Sequence, residues 1–586
     1  MRLLSNGVFQ KLSGGVSRQR QMNKTKPDHH ESLPIAARAK EFLTLHWAKC
    51  ILGGIVLLAS ILSLYWVFTV PLLQNPDETS HVDYVFSLYS AGRLLNVRRP
   101  PSAWNVHAQF EGRADVEGPE RTPYDFISHQ YTLYLIDSTE FQRIRFHENQ
   151  KVPSDYGTRA YFQKLDAGAP QTPANIADLR TSDNPWMVSA YPFGYYVTAA
   201  IWIKILSVFD NGPATLFLGV RILSVILLMG SLCLTYANLR ELQLRKTRAL
   251  CLTAIVGFFP LTPFISSSVQ PDNLTLFLVL LCFYLGFRLR RETSNKRRFV
   301  VLLGLALGAL LVTKYHLFLF TAASILAMLV SEHIFRRESW AALLRKMVWL
   351  VWPSAVLFAL QLWIVKGGPI TGGNLHRAAG FLGGVKSAIL DYYRGGPALV
   401  SWWGRFGWMD APLTIRSSGI ELRVLSLISA GTLLILLLLF FRFEKVLTRL
   451  VVLVARRRWR MALRISFSNP LLTSHIMFSV FMIFLYAFTD NSFFAQGRHW
   501  FPYIVSGFLI TTQYAPQALT HRKTQAALSA LLVAGLMLYC LIAGYYSIAA
   551  IKYRYYSPQT RVSIGRTDSV LPYSLRQARR GESANG

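Results

Sequence analysis

Runs of apolar residues long enough to cross a lipid bilayer recur along this chain, and few features restrict a fold more severely. "KCILGGIVLLASILSLYWVFTV" from Lys49 and "GTLLILLLLFF" from Gly431 approach the ~20 residues that span a hydrocarbon core. No water reaches the backbone there, so such runs cross as helices that satisfy their own N–H and C=O groups. With 52% hydrophobic and only 16% charged residues among 586, the chain reads as an all-α polytopic membrane protein. The first transmembrane helix is expected at 47–70, behind a basic cytoplasmic leader at 1–46. Further spans follow it, which argues against a cleaved signal peptide or presequence.

The net charge of +31 raises the question of nucleic acid. The bases fall between apolar runs rather than on one soluble face, so they read as topology signals and no nucleic-acid partner is expected. All five cysteines (Cys50, Cys233, Cys251, Cys282, Cys540) lie in apolar segments without CxxC spacing, so neither a disulfide framework nor a thiolate metal site is indicated. The sequons at Asn23 and Asn273 sit in the leader and at a span edge and carry no weight.

Basic clusters start at Arg240, Arg288, Glu332 and Arg442. Short loops rich in Lys and Arg stay cytoplasmic, which puts all four on the side of the N-terminus. About half of all Asp and Glu lie between Asp77 and Asp183, in a segment assigned to the external face. Parity then requires that "AYPFGYYVTAAIWIKILSVF" (190–209) lie in the interface rather than cross. The expected order is an external loop at 71–213, transmembrane helices 2–7 at 214–365, a second external loop at 366–418, helices 8–11 at 419–549, and an external tail at 550–586. That makes about eleven spans in the inner (plasma) membrane. Within the first loop, "YTLYLI" and "FQRIRF" alternate around "DSTE" as a small β-hairpin would. No inverted repeat of the transporter kind is evident.

On this topology the interfacial polar residues gather outside. Asp77, Glu78 and His81 follow the first span, and Asp272 lies between the third and fourth. Lys314 and His316 lie between the fifth and sixth, Arg405 and Asp410 in the second loop, and Gln496, Arg498 and His499 before the tenth. Plainer roles compete with chemistry at each. Asp77 and Glu78 suit a helix N-cap and first-turn acid, and Asp272 after Pro271 suits a cap still better. Lys314 and Arg405 can snorkel to headgroups. Arg498, between Gly497 and aromatic residues, needs an anion, either a lipid phosphate or an external acid. Together, carboxylates facing cations at headgroup depth suit a reaction in which a phosphate leaves a lipid: a carboxylate takes the proton of an acceptor hydroxyl, and cations stabilise the departing charge.

P-D-E-x-x-H after the first span, S-x-x-x-P-D before the fourth, G-R-x-G-W-x-D in the late loop and Q-G-R-x-x-x-P near the end fall in order from about Val70 to Gln513. In these motifs the chain resembles a bacterial polytopic membrane-protein family of uncharacterised function. That family is itself similar to GT-C glycosyltransferases such as the protein O-mannosyltransferases and lipid A aminoarabinose transferases. The resemblance implies inverting transfer of a sugar from a polyprenyl-phosphate donor to a glycan, lipid or protein acceptor on the external face. Carried over by position, Asp77 is the candidate base, Glu78 its neighbour and Arg498 the candidate phosphate ligand. Two departures stand out: a single Pro192 where relatives often have two adjacent prolines, and His499 where a tyrosine is expected. No cofactor is called for; a divalent cation beside Asp77 and Glu78 stays open, the adjacent acids being too few for a dedicated cage.

Two other classes compete. A lipid-linked sugar flippase or transporter predicts ionisable residues at mid-span, and a non-catalytic subunit of an envelope complex predicts that Asp77→Ala is harmless. The topology itself is testable: in a cysteine-free background, Arg245→Cys should resist a membrane-impermeant maleimide in intact cells. Strong labelling there reverses the assignment of sides.

Overall fold

The computed structural model describes residues 35–75, 77–91, 129–139, 144, 150–170, 192–291, 296–337, 339–364, 405–406, 411–412, 420–489 and 497–556. The chain divides into two compact units, Met1–Gly54 and Ile55–Gly586. In the first, the described residues are the opening of helix α1 (Ile35–Thr69). The contacts that position the site all belong to the second.

The described residues are helical apart from one two-residue ladder. After α1 come α2 (Glu78–Ala91), α3 (Gln130–Ser138), α4 (Arg159–Ala167), α5 (Gly194–Leu206), α6 (Pro213–Glu241), α7 (Lys246–Phe258), α8 (Leu261–Ile265) and α9 (Asp272–Arg291). Then follow α10 (Lys296–Leu311), α11 (Tyr315–Arg336) and α12 (Trp340–Ile364). Strands β1 (Arg405–Phe406) and β2 (Ala411–Pro412) pair antiparallel, Arg405 opposite Pro412. Helices α13 (Ile420–Ala455), α14 (Trp459–Ser466) and α15 (Pro470–Thr489) lead to a 3-10 turn at Gly497–Tyr503 and α16 (Ile504–Leu509). After a π turn (Ile510–Tyr514) and a second 3-10 turn (Ala515–Ala518), the long α17 (Arg522–Tyr555) closes the order.

Six helices among the described residues are long and apolar enough to cross a membrane: His46–Thr69, Pro213–Glu241, Asp272–Arg291, Tyr315–Arg336, Trp340–Leu362 and Arg522–Tyr555. The eleven expected spans are not reached. Helices α7 and α10, counted as spans in the sequence, have 13 and 16 residues. At 1.5 Å per residue they extend only about 20–24 Å, short of a ~30 Å core. The apolar α5 also has 13 residues and the same ~20 Å reach. Close approach explains the strongest pairing: Gly304 and Gly308 on α10 face α12, where a Cβ at Gly304 would stand 2.6 Å from the Leu350 carbonyl oxygen. Small residues four apart let two backbones meet in this way.

The expected hairpin is corrected in its first arm. "YTLYLI" lies in α3, whose buried residues Tyr131, Thr132, Leu135 and Ile136 form a helical face. The His129 side chain caps this helix by accepting from the Tyr131 N–H at 3.1 Å. The second arm, Phe141–Phe146, lies outside the described residues apart from Ile144.

The loop after α1 is tied to the C-terminal end of α17. The Val152 N–H donates to the Tyr555 carbonyl at 2.9 Å, and the Arg554 guanidinium donates to the Ile144 carbonyl at 2.6 Å. The Tyr156 hydroxyl accepts from the Leu72 N–H, and the Tyr556 hydroxyl donates to the Thr69 carbonyl. Far from these contacts, Glu332 binds Arg290, Arg336 and Arg464, and Glu241 binds Arg288 and Arg291. Members of all four basic clusters thereby meet in ion pairs at the far end of α9 from Asp272, ~30 Å along its axis.

One ion pair joins the first span to the rest. Arg221, the ninth residue of α6, is fully buried with Glu78, Nη2 to Oε2 at 2.6 Å. Its Nε donates to Glu78 Oε1, its Nη1 to the Val67 and Val70 carbonyls, and its Nη2 also to the Pro71 carbonyl. A guanidinium has five N–H donors, and these contacts account for five bonds. The carbonyls are those left over where α1 ends. Removing one partner leaves a buried charge unmatched, a loss of ~3–5 kcal/mol. Arg221→Met should therefore abolish stable expression, and Arg221→Met with Glu78→Leu should recover part of it, measured by fluorescence-detected size exclusion and thermal unfolding in detergent. A fully stable single variant would show that the pair is dispensable.

Candidate functional site

The site forms where four helices begin. Between α1 and α2 the chain turns sharply, with Leu73 and Asp77 both at positive φ (66° and 60°). Asp and Asn tolerate this left-handed region better than most residues, and the strain they accept there is of the kind that concentrates at functional positions. Asp77 is half-buried, and its carbonyl accepts the His81 N–H at 3.2 Å as α2 starts. Glu78 is fully buried. Besides Arg221, its Oε1 accepts from the Val269 N–H at 2.9 Å, and both oxygens take the Asn75 amide at 3.3 Å. The Glu78 carboxylate is thus saturated by Arg221, Val269 and Asn75.

His81 is buried one turn on, its Nδ1 2.8 Å from the Tyr196 hydroxyl of α5. Tyr84 packs edge-on against the same ring at 4.6 Å. Neighbouring Tyr195 is fully buried beside Ser224 and Gln270, within electrostatic reach of both Glu78 and Asp272, and burial raises its phenol above the ordinary range. Helix α5 is seated by its first residue: the Gly194 N–H donates to the Val312 carbonyl at 2.6 Å, and a Cβ at Gly194 would stand 2.7 Å from the same oxygen. Only glycine permits that approach, and it brings Tyr195 and Tyr196 against the turn that carries Lys314.

Lys314, at the N-cap of α11, pairs with Asp272. Asp272 was expected as a cap. Instead Pro271 occupies that place, its carbonyl accepting the Thr275 N–H, and Asp272 is the first helical residue with its carboxylate on Lys314. His316 stacks on Phe478, and the charges of Lys314, His499 and Asp272 all act on it. The 3-10 turn Gly497–Tyr503, which carries Arg498 and His499, packs against α9. Thus Asp77, Glu78, His81, Asp272 and Lys314 belong to one connected set of contacts, His316 and His499 join it electrostatically, and the turn that carries Arg498 packs on α9. The side chain of Arg498, that of Arg405, and all of Asp410 and Gln496 lie outside the described residues. The β1–β2 ladder bearing Arg405 packs on α17 through β2. Among the described residues no group of three His, Cys, Asp or Glu could hold a metal ion.

The sequence reading missed Arg221, Tyr195, Tyr196 and the pair Asp83–His129. Arg221 had a signal: it is the one charge between Pro213 and Leu239, and an ionisable residue inside a span calls for a partner by default. The Asp83 carboxylate accepts the His129 N–H at 3.0 Å, and His129 Nε2 lies 2.6 Å from the Ser90 hydroxyl, so α3 is moored to α2. Burial pushes His129 down to about 3, keeping the imidazole neutral. A histidine depressed in the folded state gives stability that is complete above its unfolded value near 6.5, and that declines as pH falls toward the folded one. Below pH 6.5 the loss should reach ~1.4 kcal/mol per pH unit. The protection factors of Gln130–Ser138, each rate referred to intrinsic exchange at the same pH, should fall accordingly between pH 6.5 and 4. His129→Asn, which keeps a capping oxygen, should flatten the dependence; an unchanged profile would exclude His129 as its cause.

A family model described as predicted membrane protein (DUF2142) matches residues 60–506. Among solved structures, the crystal structure of the Archaeoglobus fulgidus oligosaccharyltransferase in complex with Zn and sulfate is similar to this chain at 14% identity and a TM-score of 0.34. The match covers 62% of this chain and 45% of that one, so the chain spans less than half the length of that structure. No curated protein sequence matches.

Proposed function

The chain belongs to this family of predicted membrane proteins, and on that premise we propose that it is a glycosyltransferase of GT-C type, moving a sugar from a polyprenyl-phosphate donor to a cell-envelope acceptor on the external face. The observation that carries the reading is the convergence of polar segments that the sequence spreads over more than 400 residues. The starts of α2, α5, α9 and α11 are joined by the Glu78–Val269, His81–Tyr196, Gly194–Val312 and Asp272–Lys314 contacts. Helix N-termini carry partial positive charge, and several of them together with Lys314 and Arg498 favour a phosphate.

In this reading Asp77 takes the proton of the acceptor hydroxyl as its oxygen attacks the anomeric carbon. The bond from that carbon to the phosphate oxygen breaks with inversion, and the polyprenyl phosphate leaves with the electron pair. Lys314 and Arg498 stabilise the charge that grows on the leaving phosphate, Asp272 holds Lys314 in place, and His81 with Tyr196 sets the turn that presents Asp77. Arg221 bears on the transport alternative, because it is ionisable and lies within a span. Its five bonds hold it fast, which suits a scaffold better than a moving path.

Asp77→Asn separates base from cap. Both residues accept left-handed φ and both cap helices well, so a capping role predicts a normal protein. A base predicts a normally expressed protein whose transfer rate falls about a hundredfold or more. The rate is read in membranes supplied with a polyprenyl-phosphate sugar, and complementation of a deletion strain at wild-type level would return Asp77 to architecture.

A further inference from the structure

A second place in the fold, apart from the residues of the transfer reading, is open enough to admit a ligand. A cleft of about 620 Å³ opens between the end of α1, the helix α4 and the start of α6, lined by Phe68, Arg159, Phe162, Gln163, Asp166 and Asp210, with Gly157 and Thr215 at its edges. That volume is within the usual range for small-molecule sites. Arg159, Phe162, Gln163 and Asp166 are spaced 0, 3, 4 and 7 along α4, so they share one face. The opposite side of the helix is anchored by buried Tyr161 and Leu165.

Both carboxylates are anchored at the head of α6, and each carboxylate keeps further acceptor lone pairs. Asp166 Oδ1 accepts the Ala214 N–H at 2.8 Å, and Asp210 Oδ1 accepts the Gly212 N–H at 2.8 Å. Their remaining oxygens, Asp166 Oδ2 and Asp210 Oδ2, both approach the Thr215 hydroxyl, at 2.7 and 3.0 Å. A hydroxyl has one proton and can serve only one of them at a time. Gly212 makes the arrangement possible, since a Cβ there would stand 2.1 Å from Asp166 Cγ. Burial raises Asp166 above the ordinary carboxylate range against the hydrogen bonds from Thr215 and Ala214 that pull it down, and the charge of Asp210 adds to the rise.

We propose that this cleft binds an uncharged sugar ring, whose neighbouring hydroxyls donate to Asp166 and Asp210 while Arg159 and Gln163 donate to the ring's other oxygens. Phe68, which is exposed, offers apolar surface to the sugar's C–H groups, with the largely buried Phe162 behind it in the lining. Two carboxylates against one guanidinium leave a net negative lining, which disfavours a phosphorylated sugar. Arg159 disfavours a bare cation in the same way. The cleft thus differs in charge from the Lys314 and Arg498 region, and it selects the neutral end of a carbohydrate rather than a phosphate.

The test uses the full-length chain in nanodiscs and saturation-transfer NMR with methyl glucoside, methyl galactoside, methyl arabinofuranoside and glucose 6-phosphate at millimolar concentration. At least one neutral glycoside should show transfer, and the phosphorylated sugar should bind more weakly. Asp210→Asn and Gln163→Ala, both at exposed positions, should each weaken binding tenfold or more while thermal unfolding stays unchanged. The same sugar presented as a glycolipid headgroup should bind tighter if the natural source is lipid-borne and equally if it is soluble; either result supports the site. Absence of transfer from every neutral glycoside overturns the proposal. So does binding unaltered in both variants, preference for the phosphorylated sugar, or calcium binding by calorimetry that Asp210→Asn removes.

Discussion

A guanidinium sealed from water near the head of α6 holds the exit of the first span, the start of the next helix and the segment before α9 in one place. Arg221 binds three carbonyls at the exit of α1, those of Val67, Val70 and Pro71, and it neutralises Glu78, which in turn accepts the Val269 N–H. Each of these groups would be costly to bury alone. Buried pairs of this kind often add little net stability compared with apolar substitutes, but they are demanding about geometry. Here that demand is useful, because it fixes the turn from which Asp77 projects. The left-handed backbone at Leu73 and Asp77 persists because a bonded frame surrounds it.

From that frame the polar groups follow by contact. Glu78 reaches the segment before Asp272, Asp272 holds Lys314, and the turn before Lys314 receives the first N–H of α5, which brings Tyr196 to His81. The loop closes on itself without a metal-ligating group among the described residues. Such a ring of short links suits a site whose charge must be in place before a substrate arrives, since pre-set dipoles need no rearrangement when charge develops.

The membrane class and the helical character were legible in the apolar runs, and the motifs named Asp77, Glu78, His81 and Asp272 as candidates, with Lys314 proposed from its place at a span end. What escaped has physical causes. Alternation in "YTLYLI" looks like a strand, but a buried face at Tyr131, Thr132, Leu135 and Ile136 and a cap from His129 make it helical; a capping histidine is not a usual start signal. Helices α7 and α10 looked like spans because apolar composition is visible in a sequence and helix ends are not. Glu78 looked catalytic because its partner lies 143 residues away, and long-range pairing leaves no local pattern. The lone arginine in an apolar run was the available clue.

On the two proposals above, the head of α6 would serve both sites. Asp166 caps the start of this helix through the Ala214 N–H and the Thr215 hydroxyl, where an acid is favoured by the helix dipole. Arg221 lies six residues further on, ~9 Å along the axis, where the guanidinium faces the chain leaving α1. The acids at the tip and the charge-balanced Arg221–Glu78 pair below it are thus set by one rigid element. On those two proposals, a substrate with a neutral polyol at one end and an anionic phosphate at the other would be oriented before any bond is broken, because the net negative lining of the α4–α6 cleft disfavours the phosphate there.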